Sequence, residues 1–497
     1  VGSVCASRDE QNPNSGMVPG QAPNAKVAFL DIGTPNGGLR TPSDSTTCNT
    51  GRLAEPRANI HSASWGAVGV PQYTIQTYNF DQYMYENDEF LMFIAAGNEG
   101  DNNEPYTVSS PATGKNMVSV GASHSCCDDL ERGQLGPNHI ASFSSRGPTL
   151  DGRTKPDIVA PGKWILSVGA QPGNPGACDP SSRPGANSHA EGVLSIQGTS
   201  MATPIAAGIA ALVRQYFEEG FYPTGERVAE NAINPSGALV KAVLMNGAQF
   251  LESVDTGTGT IDVSPYDNTQ NFGRISLIDS LYIVGKSNVQ AEVWDRQVVQ
   301  NGRINTYEVE IDKSKGCESD ILSVTLVWME QGSIPGCSSC VLNDLDLSVT
   351  RQGDATVYYP NGRNSPDPIN NSERVQVSQV QDGDVFTISV HGRNLSLSSQ
   401  KYALVAAACF GGVKNELNVA TNAFANDNSA TNRRNTVIGV ICGVVGGILL
   451  IGGIYCYCRR KNRLNAERAR ALRKGESDYN DVGVEIHHDN DKARQED

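Results

Sequence analysis

The feature that most constrains this chain lies near its C-terminal end, where the 22 residues from Val437 to Cys458 carry no charge. As a helix the run measures roughly 33 Å, enough to cross a hydrocarbon core of about 30 Å. Arg459, Arg460, Lys461, Arg463, Arg468, Arg470, Arg473 and Lys474 follow it, whereas only Arg433 and Arg434 precede it closely. The positive-inside bias then places the tail in the cytosol and residues 1–435 outside the cell or in a lumen. The chain reads as a single-pass type I membrane protein. Gly439, Gly443 and Gly447 recur at the spacing that lets membrane helices approach closely, which admits homodimerisation through the span.

Cysteine usage agrees with that topology. Nine of the twelve cysteines precede the span, namely Cys5, Cys48, Cys126, Cys127, Cys178, Cys317, Cys337, Cys340 and Cys409. An oxidising compartment lets them pair, in a connectivity the spacing leaves open. Cys337-Ser-Ser-Cys340 has neither the second CxxC nor the histidine pair of a zinc site, so it reads as a structural disulfide. Cys456 and Cys458 are palmitoylation candidates, and Asn370-Asn-Ser and Asn394-Leu-Ser are glycosylation acceptors if this region enters a secretory lumen. A net charge of −15 supplies no basic face for phosphates and excludes a nucleic-acid partner.

Up to residue 285, apolar runs alternate with glycine- and serine-rich loops and helical stretches, the pattern of an α/β fold with a parallel sheet. Lys26–Asp31, Phe90–Ala95 and Met117–Gly121 read as short buried strands, and Ala202–Phe217 and Gly237–Met245 as helices. From 286 to 412 the pattern changes to period-two runs, among them Thr306–Ile311, Ser323–Trp328, Asp344–Val349, Val385–Val390 and Tyr402–Ala406. These imply an antiparallel β-sandwich or jelly roll. Residues 413–435 form a stalk, 436–458 the span, and 459–497 a tail that is basic beside the membrane and acidic beyond.

The sharpest string is Gly198-Thr-Ser-Met-Ala-Thr-Pro204, a turn delivering Ser200 to the start of the small-residue helix. Free N–H groups and partial positive charge at a helix N-terminus stabilise negative charge developing on a carbonyl oxygen attacked by that serine. The string resembles the nucleophile motif of the subtilisin-like serine proteases, and other segments match in order. Phe93-Ile-Ala-Ala-Gly-Asn-Glu-Gly100 looks like the family's oxyanion loop, with Asn98 as side-chain donor. His61-Ser-Ala-Ser-Trp-Gly66 looks like its substrate-pairing strand, so the resemblance implies substrate contacts at Ser64, Trp65 and Gly66. Phe143-Ser-Ser-Arg-Gly-Pro148, Thr154–Gly162 and Asn271-Phe-Gly-Arg-Ile275 are similar to scaffold motifs. The likeness covers about residues 1–280. The strand-rich region resembles, less closely, the jelly roll behind the catalytic domain of some members.

One departure matters more than these matches. The family activates its serine with a histidine oriented by an aspartate, in the order Asp, His, Ser. None of the seven histidines, His61, His124, His139, His189, His391, His487 and His488, stands in a Gly-His-Gly-Thr-His context. Val1-Gly-Ser-Val4 looks like the continuation of the family's histidine helix, which implies a partial catalytic domain with its His and Asp upstream of Val1. Asp31 and His61 read as scaffold: His61 lies in the strand leading to Gly66, not after a Gly-Thr turn.

The resemblance implies an endopeptidase acting on polypeptides through an acyl-enzyme on Ser200, with this chain inert where it lacks the base. The competing class is an inactive protease-like ectodomain used for binding or adhesion. No cofactor is required for the chemistry, and calcium is the structural ion the resemblance implies. Asn343-Asp-Leu-Asp346 and Asp101-Asn-Asn-Glu104 gather oxygen ligands but match no defined loop, so both read first as solvated surface.

Overall fold

The computed structural model describes residues 2–5, 20–30, 32–34, 39–40, 57–101, 103–125, 135–168, 193–287 and 289–411, all within one compact unit. The expected stalk, span and tail lie outside these residues, as do Asp31, His189 and the adjacent Cys126 and Cys127. No helix among the described residues is long and apolar enough to cross a membrane.

The first half is built on a seven-stranded mixed sheet. β1 (Ile60–Ala63), β2 (Leu91–Ala95), β3 (Val118–Ser123) and β5 (Ile158–Pro161) run parallel. β4 (His139–Ile140) pairs antiparallel to β3 and parallel to β8 (Ser253–Asp255), which closes against β9 (Thr260–Asp262). β6 (Ile165–Val168) and β7 (Val193–Ile196) form a separate ribbon. Leu91, Met92, Phe93 and Ile94 are all fully buried, as apolar parallel strands covered on both faces must be. The helix Thr199–Glu218 covers β1, β2, β3 and β5, its Ala202, Ala206, Ala207, Gly208 and Ala210 permitting close approach. Pro204 falls in its first turns, where a missing N–H costs least.

Lys26–Leu30 is not the buried strand its apolar run suggests. It forms no ladder, and Val27, Phe29 and Leu30 are exposed, Phe29 by 73%. A strand needs a neighbour, and β1, the nearest candidate by sequence, pairs among the described strands with β2 alone.

The C-terminal region is two four-stranded antiparallel sheets. Its strands are β10 (Gln290–Gln300), β11 (Ile304–Glu310), β12 (Ile321–Val327), β13 (Asn343–Arg351), β14 (Val357–Tyr358), β15 (Ser372–Ser378), β16 (Val385–Leu395) and β17 (Ser399–Ala408). One sheet has the order β10-β17-β12-β15 and the other β11-β16-β13-β14. Inward residues of both, among them Leu322, Val324, Leu345, Leu347, Ile388 and Leu404, fill a single core. Two disulfides occur among the described residues, in a connectivity the sequence leaves open: Cys337–Cys340, and Cys317–Cys409, spanning 92 positions. Replacing Cys317 and Cys409 with serine is expected to cost roughly 2–4 kcal/mol by freeing that long loop in the unfolded chain, measured as a lower urea midpoint.

The two halves share a seam. The helix Gly237–Asn246, buried along its whole length, packs on β2 from one side and on β12 and β17 from the other. Arg374 of β15 donates to the carbonyls of Met245, Ala248 and Phe272 at 2.7, 2.9 and 3.2 Å. Its guanidinium lies over the rings of Phe250, Tyr266 and Phe272.

Candidate active site

The helix Thr199–Glu218 begins without a side-chain cap, because its N-cap is Gly198 at φ +149°, a conformation that side-chain-bearing residues avoid. The N–H of Thr199 is taken by Asn98 Oδ1 at 2.9 Å, and Thr199 Oγ1 donates to the same oxygen at 2.9 Å. A backbone N–H can only donate, so Oδ1 must face the helix and Nδ2 must face the cleft. Thr199 Oγ1 also accepts the N–H of Gly97 at 3.3 Å, and the Gly97 carbonyl at 3.2 Å competes with Asn98 Oδ1 for its single proton. The result is a rigid lock between the end of β2 and the helix start.

Two donors remain unused. Among the described residues no acceptor takes Ser200 N–H or Asn98 Nδ2. A Cβ on Gly198 would stand 3.6 Å from each of these nitrogens and 3.7 Å from Asn98 Oδ1, so the Asn98 amide and the Ser200 N–H border one small space.

The wall opposite comes from the segment after β1. Ser64 Oγ donates to the carbonyl of Ser200 at 2.9 Å, and Trp65 packs edge-on to Phe80. Gly66 N–H has no backbone partner among the described residues, and a Cβ there would come within 3.2 Å of the Ser110 carbonyl. Ser64, Trp65, Gly66, Asn98, Thr199 and Ser200 thus line one cleft of about 150 Å³. The five residues nominated from the sequence strings are brought together there with Thr199. The locking role of Thr199 was not legible from the string, although Thr199 stands inside it.

No described imidazole is hydrogen-bonded to Ser200. His61 is fixed in β1 beside Phe90, three residues before Ser64, and burial holds its pKa down at about 4. His124 is committed elsewhere, accepting from Leu135 N–H on Nδ1 and meeting Asp255 Oδ2 through Nε2 at 3.1 Å. Burial first, then Lys163, lowers its pKa to about 4 as well. Both stay neutral in the fold while the unfolded chain protonates them near 6.5. Stability is therefore expected to fall as pH drops from about 6.5 to about 4, and His61→Phe should flatten that slope in urea titrations.

Residues 1–274 match the profile described as the subtilase family, Peptidase S8. The serine protease/ABC transporter B family proteins tagD and tagB of Dictyostelium discoideum are each 26% identical, over 520 and 514 residues. Each match spans 81% of this chain but only 28% and 26% of the relative, so the chain covers about a quarter of their length. Serine protease AprX of Bacillus subtilis is 42% identical over 125 residues, a quarter of each chain. Among solved structures, Sphericase is 21% identical with a TM-score of 0.38, covering 55% of this chain and 74% of its own.

Proposed function

This chain belongs to the subtilase family of serine proteases, and on that premise we propose that it is a membrane-anchored endopeptidase in which Ser200 attacks the scissile carbonyl of a polypeptide. The observation that carries the reading is that Ser200 and Asn98 line one cleft, with Asn98 Oδ1 held by Thr199 so that Nδ2 is left, like Ser200 N–H, without an acceptor among the described residues. As Ser200 Oγ bonds to the carbonyl carbon, the oxygen gains negative charge and settles between these donors. Collapse expels the amine and leaves an acyl-enzyme, which water hydrolyses to restore the serine. The free N–H of Gly66 in the extended wall supports substrate held as an added strand, with Ser64 and Trp65 beside it.

A base must take the Ser200 proton, and the reading assigns it to a histidine oriented by an aspartate, both from a segment preceding Val1. The unpaired edge of β1 and the exposed Val27, Phe29 and Leu30 support a further strand between them. For the C-terminal region we favour a jelly roll. Counting its eight strands from β10, the two sheets run 1-8-3-6 and 2-7-4-5, the order that wrapping one long hairpin generates.

A fluorophosphonate probe tests the chemistry. The native protein is expected to be labelled at Ser200, with labelling lost in Ser200→Ala. Absence of labelling in native, processed protein would instead favour a binding ectodomain. Topology has its own test. Asn394 is exposed, whereas Asn370 holds Thr154 N–H at 2.9 Å through Oδ1 and Asp367 through Nδ2. If residues 1–435 face a lumen, mass spectrometry after deglycosylation is expected to find the glycan mark at Asn394 and not at Asn370. An unmodified Asn394 in secretory-pathway protein would count against the type I orientation.

A further inference from the structure

The loop between β12 and β13 carries chemistry that the cleft does not use. It covers residues 328–342 and leads into β13, whose Asn343 and Asp346 are buried rather than the solvated surface their composition suggests. Cys337–Cys340 closes this loop on itself. A crosslink between residues 3 positions apart removes little freedom from the unfolded chain, so global stability does not account for it as it does for Cys317–Cys409, across 92 positions. Its placement does. Cys340 is buried, whereas Cys337 is partly exposed among the exposed Gly336, Ser338 and Ser339. One half of the bond stands at the surface and the other in the interior.

The stapled loop grips the first half of the chain at several points. The Cys340 carbonyl accepts from the buried Lys115 ammonium at 2.8 Å, and Cys340 N–H donates to Asp151 Oδ2 at 3.2 Å. At the other end, Gly332 N–H donates to Gln82 Oε1 at 3.1 Å, and a Cβ on Gly332 would come within 2.6 Å of the Tyr78 ring. Between these ends the loop closes on Tyr73. Ser333 N–H donates to Tyr73 Oη at 3.1 Å, and Gly336 N–H donates to the Tyr73 carbonyl at 2.8 Å. Gly336 adjoins Cys337, so the disulfide ties this contact to the anchored Cys340.

Tyr73 stands where the cleft wall is fastened. On one side the Gln72 carbonyl accepts from Thr113 Oγ1 at 3.1 Å, and on the other Thr74 Oγ1 lies 2.7 Å from Ser110 Oγ. Ser110 N–H donates to the Val70 carbonyl at 2.7 Å, and the Ser110 carbonyl accepts Ala67 N–H at 2.8 Å. Gly66 and Val68, on either side of Ala67, line the cleft together with Ser109 and Ser200. Hydrogen bonds therefore lead from the disulfide across the seam to the cleft wall.

We propose that Cys337–Cys340 is a reversible thiol–disulfide modification site, at which a dithiol reductant loosens residues 66–73 and weakens substrate binding. A thiolate of the reductant attacks the Cys337 sulfur and forms a mixed disulfide, while the Cys340 thiolate leaves and takes a proton. The second thiol of the reductant then closes its own disulfide and releases Cys337 as a thiol. The protein gains two electrons and two protons, and the dithiol is oxidised. The effect on substrate rests on the proteolytic reading, whereas the hold of the loop on the wall does not.

Brief treatment of the native full chain with dithiothreitol, followed by alkylation and peptide mass spectrometry, tests the site. Cys337 and Cys340 are expected to be alkylated at least about tenfold faster than Cys317 and the fully buried Cys409. In the same sample, amide hydrogen exchange should rise about tenfold or more at Ser333, Gly336, Ala67 and Ser110, with Phe93, Ile94 and Ala95 of β2 unchanged. KM for a peptide substrate should rise about threefold or more at nearly constant kcat, and return on reoxidation. The double variant Cys337→Ser, Cys340→Ser should hold the high KM and ignore the dithiol. If that variant fails to fold, the parent protein decides alone. Reduction without faster exchange at Ala67 and Ser110 overturns the proposal, as does a pair no more reducible than Cys317–Cys409. Faster exchange with KM unmoved overturns the effect on substrate. A protein that cleaves no peptide in either redox state fails the proteolytic reading instead, and the exchange at Ala67 and Ser110 still decides the coupling.

Discussion

Replacing Lys115 with methionine is expected to destabilise the folded chain by about 3–5 kcal/mol, read from the urea midpoint of the full protein. Lys115 stands in the loop before β3, and its ammonium is wholly buried. Its acceptors all come from the segment after β12: Glu330 Oε1 at 2.6 Å, and Gln331 O, Ser333 Oγ and Cys340 O at 2.8 Å each. Next to it, Asn116 Nδ2 bridges the carbonyls of Asp81 and Glu330. Methionine fills most of the same volume, so the loss is electrostatic rather than a cavity. It strands Glu330 as a buried carboxylate whose remaining donors are only the N–H groups of Leu342 and Asn343. Combining Lys115→Met with Glu330→Gln should therefore recover part of the loss, with a coupling energy of about 1–3 kcal/mol. A single-variant cost under about 1 kcal/mol would show that the seam rests on its apolar core and not on this ion pair.

That network was invisible in the sequence for a physical reason. Lys115 and Glu330 are 215 positions apart, and neither lies in a patterned run that distinguishes a buried lysine from a solvated one. β10 was missed on similar grounds. Its Glu292, Asp295 and Arg296 break the alternation expected of a strand, yet Asp295 is buried because the N–H and Oγ of Ser236 answer it. A register shift between Trp294 and Gln297, with Arg296 at φ +55°, turns the charges out of phase with the pleat. What local sequence did carry was chemistry held within one string. Phe90–Ala95 and Met117–Gly121 are apolar on both faces and are buried on both, and Gly198–Pro204 and Phe93–Gly100 bring their serine and asparagine to the same cleft. Lys26–Leu30 has the same apolar signature and fails, because burial of a strand depends on a neighbour that its own residues do not encode.

On the proposed chemistry, Asn98→Ala is expected to lower kcat of the native protein by about 10²–10³ with little change in KM, since the lost hydrogen bond would form only as the oxyanion develops. The geometry distinguishes this from a general loosening of the loop. Thr199→Val removes one hydroxyl from Asn98 Oδ1 but keeps the backbone N–H that orients the same amide. Its effect should therefore be about tenfold or less. Gly198→Ala attacks the site from the other side. Its Cβ would sit 3.6 Å from both donor nitrogens and 3.7 Å from Asn98 Oδ1, beside the proposed oxyanion position, at a φ of +149° that alanine resists. The loss there should be at least as large as for Asn98→Ala, on the order of 10³, although neither donor has been removed. Adding Asn98→Ala to Gly198→Ala should then cost little more, because a blocked site has no oxyanion left to stabilise. If Gly198→Ala instead turned over within about threefold of the parent while Asn98→Ala did not, the oxyanion would have to lie elsewhere along the cleft, and the space beside Gly198 would not be the catalytic feature.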